Sequence, residues 1–223
     1  MEITRTPEAC TVLSPSPLVD RVTLTYDTGL CTVLFRDGST ASFVRKWEDY
    51  HVFAYGLCFS DDGMVMYTGD WMKGLFAIDS HSGETVWHYR PARIRDIFAF
   101  PEYLIALRYG CSVVKLDART GELLGEFTGR SLVHCWRLDE RHLLLDSKNG
   151  CLCVLDAETM EIVGKFRRRG AKSKVDPNNC LSLVIRRAWL ENGKLHVSGF
   201  EEYPNRDFSA AGTTEFVREL DWL

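Results

Sequence analysis

Four polar residues occupy one recurring position in otherwise apolar runs. Tyr55, Asp96, His134 and Arg186 each stand four residues ahead of a large apolar residue, namely Phe59, Phe100, Leu138 and Leu190. Arg93, Arg95 and Arg187 flank the set. One polar side chain per repeat is the pattern expected when several strands point into a shared cavity. Tyr55, Arg95, Asp96, His134 and Arg186 would then recognise a small anionic ligand, and Asp96 with His134 would make an acid–base pair if they met. The same pattern describes a water-filled wall whose polar groups satisfy one another. Both readings stand at this stage.

A second set consists of residue types that anchor protein interfaces: aromatics, methionine and arginine. Trp71 lies beside Met72, and Arg108 beside Tyr109. Arg167, Arg168 and Arg169 open a basic connector that continues to Lys174, and Tyr203 and Arg206 sit in a segment rich in small and polar residues. A run of arginines suits an acidic protein surface or a phosphate backbone. The whole chain is acidic, with 27 Lys+Arg against 31 Asp+Glu and a formal charge of −4. The expected partner is therefore a protein; nucleic acid and membrane are not expected.

Dedicated catalytic signatures are missing from the sequence. There is no P-loop, no HExxH and no GxSxG. Of the eight cysteines none forms a CxxC pair, and several lie inside apolar runs, as reduced thiols that pack as small hydrophobes do. Cys151 and Cys153 would share a strand face, without a further ligand nearby to complete a tetrahedral site. No catalytic residue, metal or cofactor is expected.

These residues are positioned by an internal repeat. Gly74–Tyr89, Ser112–Phe127 and Cys151–Phe166 superpose, each carrying an aspartate (Asp79, Asp117, Asp156) at the end of an apolar run. Thr32–Ser39 is a fainter earlier copy around Asp37, and Val217–Asp221 a last one. Each unit reads as short alternating strands separated by Gly, Asp and Asn turns, with no amphipathic helix. Repeats of about 40 residues built from four short strands are the mark of propeller blades. The sequence thus predicts an all-β, five-bladed β-propeller of four-stranded repeats, one domain over residues 1–223. The segment from Ile3 is expected to close the ring by supplying the missing fourth strand of the last blade. The repeated aspartates are expected to accept turn N–H groups, with glycine at φ > 0 after them. Met160 replaces that glycine in one copy, and its turn is expected to differ.

The segment Ala77-Ile-Asp79-Ser-His-Ser82-Gly83-Glu-Thr-Val-Trp87 resembles the quinoprotein-type (PQQ-like) propeller repeat. The copies around Asp117 and Asp156 match it with Gly125 and Gly164 in place of the tryptophan. The resemblance implies a fold and leaves activity open, because the same repeat builds enzymes, assembly lipoproteins and binding scaffolds. Quinone-dependent members use about eight blades, a quinone and calcium, which this chain is too short to hold. Five-bladed glycoside hydrolases need carboxylates facing across the cavity, and the polar column offers Asp96 as its one acid. The expected function is a non-catalytic scaffold of immunity or regulatory type that binds a protein through its loop-rich face. Small-anion binding or a glycoside-hydrolase-like activity at the central channel is the alternative.

The remaining composition is ordinary for a globular chain: 45% hydrophobic, 12% aromatic and 26% charged. No run approaches the length of a membrane span, and the first residues lack the apolar core of a secretory signal. The expected location is the cytoplasm.

Overall fold

The computed structural model describes residues 2–6, 9–13, 16–45, 56–129, 131–147, 151–167, 182–192, 194–202 and 214–220. They form antiparallel sheets and no helix, so none of them belongs to a helix long and apolar enough to cross a membrane. The chain divides into two compact units, 1–130 and 131–223.

The first unit holds three sheets, each a meander in chain order. The first comprises β1 (Glu2–Arg5), β2 (Ala9–Leu13), β3 (Val19–Thr25), β4 (Leu30–Phe35) and β5 (Thr40–Val44). The second comprises β6 (Leu57–Phe59), β7 (Val65–Asp70), β8 (Gly74–Asp79) and β9 (Thr85–Tyr89). The third comprises β10 (Ile94–Ala99), β11 (Tyr103–Arg108), β12 (Ser112–Asp117) and β13 (Leu123–Thr128).

The second unit holds two sheets among its described residues. One is β14 (Leu132–Arg137), β15 (His142–Ser147), β16 (Cys151–Asp156) and β17 (Ile162–Arg167). The other is β18 (Ser182–Glu191), β19 (Lys194–Glu202) and β20 (Thr214–Leu220). The last repeat recognised in the sequence thus falls on a third strand, as its alignment predicts.

Hydropathy explains the layering. In β11 the run Leu104-Ile-Ala-Leu107 is wholly buried, and Leu104 and Ala106 pack against the second sheet. The last strand of the same sheet, β13, has no buried residue and faces water. One core joins the first two sheets, packing Val22, Leu24 and Val33 with Phe59, Met66 and Ile78. Another joins the second and third through Leu75, Trp87, Ile94, Leu104 and Val114. In the second unit Leu144 and Val154 pack with Ile185 and Val197. Each fully buried Leu or Ile contributes about 1.5–3 kcal/mol.

Among the described residues β1 belongs to the first sheet. It pairs with β2 from Glu2↔Leu13 to Arg5↔Cys10, and the Thr6 N–H donates to the Ala9 carbonyl at 2.9 Å. A short local hairpin closes a small loop at little entropic cost. Closure of the ring by this strand is not shown among the described residues.

The repeated aspartates do what their spacing predicts. Asp79 Oδ1 accepts the His81 and Ser82 N–H groups at 3.0 and 2.7 Å, and Asp117 Oδ1 those of Arg119 and Thr120 at 2.9 and 2.8 Å. Gly83 and Gly121 follow at φ 75° and 72°. A Cβ on Gly121 would lie 2.6 Å from the Trp87 indole, whose Nε1 donates to the Ala118 carbonyl at 3.0 Å. The repeat's tryptophan is therefore the lock between one sheet and the turn of the next.

The Met160 turn does not differ. Met160 takes φ 61° and its N–H donates to the Asp156 carbonyl at 2.8 Å, as Gly83 does to Asp79 and Gly121 to Asp117. The aspartate's hydrogen bonds hold the turn shape strongly enough to keep a non-glycine residue left-handed.

Candidate functional site

The turns and connectors of the first unit place one group of predicted residues together. In each meander the turn between second and third strands and the connector entering the first strand share one end. At that end Asp70 is buried and its Oδ1 accepts the Met72 and Lys73 N–H groups at 2.7 and 2.8 Å. This turn holds Trp71 half-buried and leaves Met72 73% exposed. Across it, the connector residue Arg93 adopts φ 68°. The Arg93 N–H donates to the Trp71 carbonyl, and the Tyr109 N–H donates to the Arg93 carbonyl, both at 2.8 Å. One left-handed residue thus ties two turns from neighbouring sheets.

The side chains follow the backbone. Trp71 and Tyr109 rings lie 5.4 Å apart, tilted by 52°. The Arg95 guanidinium sits over the Tyr109 ring at 5.2 Å, within cation–π range. Arg95 is the extra residue of a β-bulge, between the Ile94↔Arg108 and Asp96↔Leu107 pairs, and bulges re-aim a side chain. Arg108 pairs with Glu126 at 3.3 Å, and its buried Nε has no hydrogen-bond partner. Of the residues singled out from the sequence, the structure therefore unites Trp71, Arg95, Arg108 and Tyr109 at one sheet end.

Strand register revises the polar column. Asp96 pairs with Leu107 and His134 with Asp146, each just after a bulge. In β18 the bulge falls between Ile185 and Arg187, so Arg187 matches Asp96 and His134, while Arg186 matches Arg95. The aromatics Phe98, Trp136 and Trp189 then align two residues further on. Pairing of Leu57 with Thr68 likewise puts Gly56, rather than Tyr55, in register with Asp96. A slip of one residue turns a side chain to the opposite face. The His134 ring lies 5.4 Å from Trp136, two residues along the same strand. Asp96 belongs to the first unit and His134 to the second.

Tyr55, Arg168, Arg169, Tyr203 and Arg206 lie outside the described residues, and Arg167 closes β17 opposite Cys151. The sequence reading missed Arg90, the first of two arginines in the connector that enters β10. It also missed the other end of these sheets, where two clefts open between turns. One, of about 420 Å³, is lined by Asp61, Asp62, Tyr67, Val86, Pro101 and Arg119. The other, of about 250 Å³, lies between the first and second sheets beside Phe35, Met64 and His81.

The two ends differ in charge. The turn segments at the cleft end of the second and third sheets, 60–64, 79–84, 100–102 and 117–122, carry seven carboxylates and one arginine. Segments 70–74, 90–96 and 108–112 at the Trp71 end carry five cations and two carboxylates. Cysteine chemistry lies elsewhere: burial pushes the Cys31 thiol up to about 12, so it stays protonated.

Sheets of this form in a repeating meander define a β-propeller, and comparison with solved structures agrees. BamB from Moraxella catarrhalis superposes with a TM-score of 0.56 at 20% identity, over 99% of this chain and 61% of that one. BamB is a PQQ-like β-propeller, and this chain spans less than two thirds of its length. The β-propeller domain of Cps50 (Swd1) from Myceliophteria thermophila superposes with a TM-score of 0.60 at 13% identity, over 96% of this chain and 73% of that one. No family model matches the sequence, and no curated protein matches it. The chain has a β-propeller fold.

Proposed function

We infer that the chain is a five-bladed, quinoprotein-like propeller that serves as a non-catalytic scaffold and binds a protein partner through the Trp71 end of its second and third sheets. The observation that carries this reading is the Trp71–Tyr109–Arg95 stack with Met72 exposed at its edge. A rigid, ordered set of aromatic and arginine side chains loses little entropy when a partner docks, and such residues dominate interface energetics. Strand ends on a stiff sheet scaffold are also where functional loops are held.

The test is capture of partners from a native lysate by the tagged full chain, compared with Met72→Ser. This substitution touches an exposed side chain and leaves the fold intact. A protein recovered stoichiometrically by wild type and lost from the variant supports the reading. Identical recovery by both, or none by either, overturns it.

A further inference from the structure

The Trp71 end is cationic in a chain whose formal charge is −4. Lys73, Arg90, Arg93, Arg95 and Arg108 stand there against Asp70, Asp96 and the Glu126 that pairs with Arg108. Asp70 is buried, its Oδ1 taken up by two backbone N–H groups, and Asp96 is half-buried. Lys73, Arg90 and Arg93 are exposed there, Glu126 is taken up by Arg108, and Arg95 lies half-buried on Tyr109. A positive end on sheets whose opposite end is acidic orients an approaching partner as well as attracting it.

We propose that this end recognises an acidic segment of a partner protein, its carboxylates set against Arg93 and Arg95 and an apolar side chain set against Met72 beside Trp71. The proposal rests on the protein-binding reading above and adds the chemistry of the partner. An acidic peptide fits better than a nucleic acid. Single strands bind along a basic track with a series of aromatic faces open for stacking. Here five cations cluster at one end of two sheets rather than along a track, and the Tyr109 face is already covered by Arg95. A short segment with a few carboxylates and one apolar anchor matches both the extent and the mixture of side chains.

Arg93 makes the proposal separable from folding. At φ 68° its backbone suits glycine better than arginine, so Arg93→Gly removes the guanidinium without asking the chain to move. The full chain is titrated into a fluorescein-labelled glutamate-rich dodecapeptide carrying one central leucine. The lysine counterpart of that peptide and a single-stranded oligothymidylate serve as parallel probes. The glutamate peptide should bind, and its affinity should fall about five- to tenfold in Arg93→Gly/Arg95→Gln. Affinity should also fall as salt rises from about 50 to 200 mM. The melting temperature of Arg93→Gly should stay level or rise.

No binding of the glutamate peptide, equal binding of the lysine peptide, or tighter binding of the oligothymidylate each overturns the proposal. Lysate capture separates the two layers. A partner kept by the double arginine variant but lost from Met72→Ser leaves the scaffold reading standing and removes the acidic segment. Absence of any partner with wild type removes both.

Discussion

Single carboxylates set the turns of this protein. Hydrogen bonds from the Ser82 N–H and hydroxyl hold the Asp79 carboxyl below the usual range, and those from Thr120 and the Arg119 N–H do so for Asp117. For Asp156 burial pushes upward, but the Thr159 N–H, Arg141 and the Glu158 N–H outweigh it. Groups with a lowered folded-state pKa add stability that is full above the unfolded value, 3.8 for these aspartates, and lost as pH falls through the folded values. Stability should thus hold from neutral pH to about pH 4 and drop below it, as chemical denaturation across that range would show. Asp156→Ala should cost about 2 kcal/mol at pH 7, because Asp156 is buried and Arg141 Nε donates to it at 2.6 Å. A flat stability profile between pH 5 and 3 would count against this account.

Among the elements, the turn between third and fourth strands is the unit that repeats, and one residue in it has two opposite roles. Gly121 lies under the Trp87 indole at φ 72°, so Gly121→Ala should destabilise by roughly 1–3 kcal/mol through backbone strain and overpacking. Met160 holds the same left-handed conformation with a side chain, so Met160→Gly should be neutral or stabilising by up to about 1 kcal/mol. Opposite signs in paired denaturant titrations would confirm that the turn imposes the conformation. Trp87→Ala should cost about 3–5 kcal/mol, since Trp87 is part of the core that joins two sheets and anchors the Ala118 carbonyl. The hairpins were legible in the sequence because each is a local motif: Asp, Thr or Ser and Gly at fixed offsets dictate their own hydrogen bonds. The first strands were not legible to the residue. The bulges at Arg95 and in β14 and β18 leave no mark in composition. Phe59 and Leu190 stand one strand position before Phe100 and Leu138, so aligning on these apolar ends put Tyr55 and Arg186 one position out of register with Asp96 and His134.

For the molecule as a whole, the strand β1 offers a direct measurement. It sits at the edge of the first sheet with Thr4, Arg5 and Thr6 exposed, so its removal leaves β2 to β5 with their core intact. Deleting residues 1–6 should lower the melting temperature by no more than about 4 °C, the effect of about 1 kcal/mol in a chain of this size. A collapse of the melt would show that β1 carries far more than its edge position implies. The sequence alone determined the all-β class, the repeat and its turns, since strand alternation and turn chemistry act over a few neighbouring residues. It also named Trp71, Arg95, Arg108 and Tyr109 one by one. Tertiary structure decided that these four meet, for residues from three separate segments are joined only when adjacent sheets dock and Arg93 bridges their turns. It likewise decided that in the second and third sheets the turns at one end carry mostly cations and those at the other mostly carboxylates. A charge belongs to a face only once a strand's direction and register are set, and those are set by the packing of one sheet on the next.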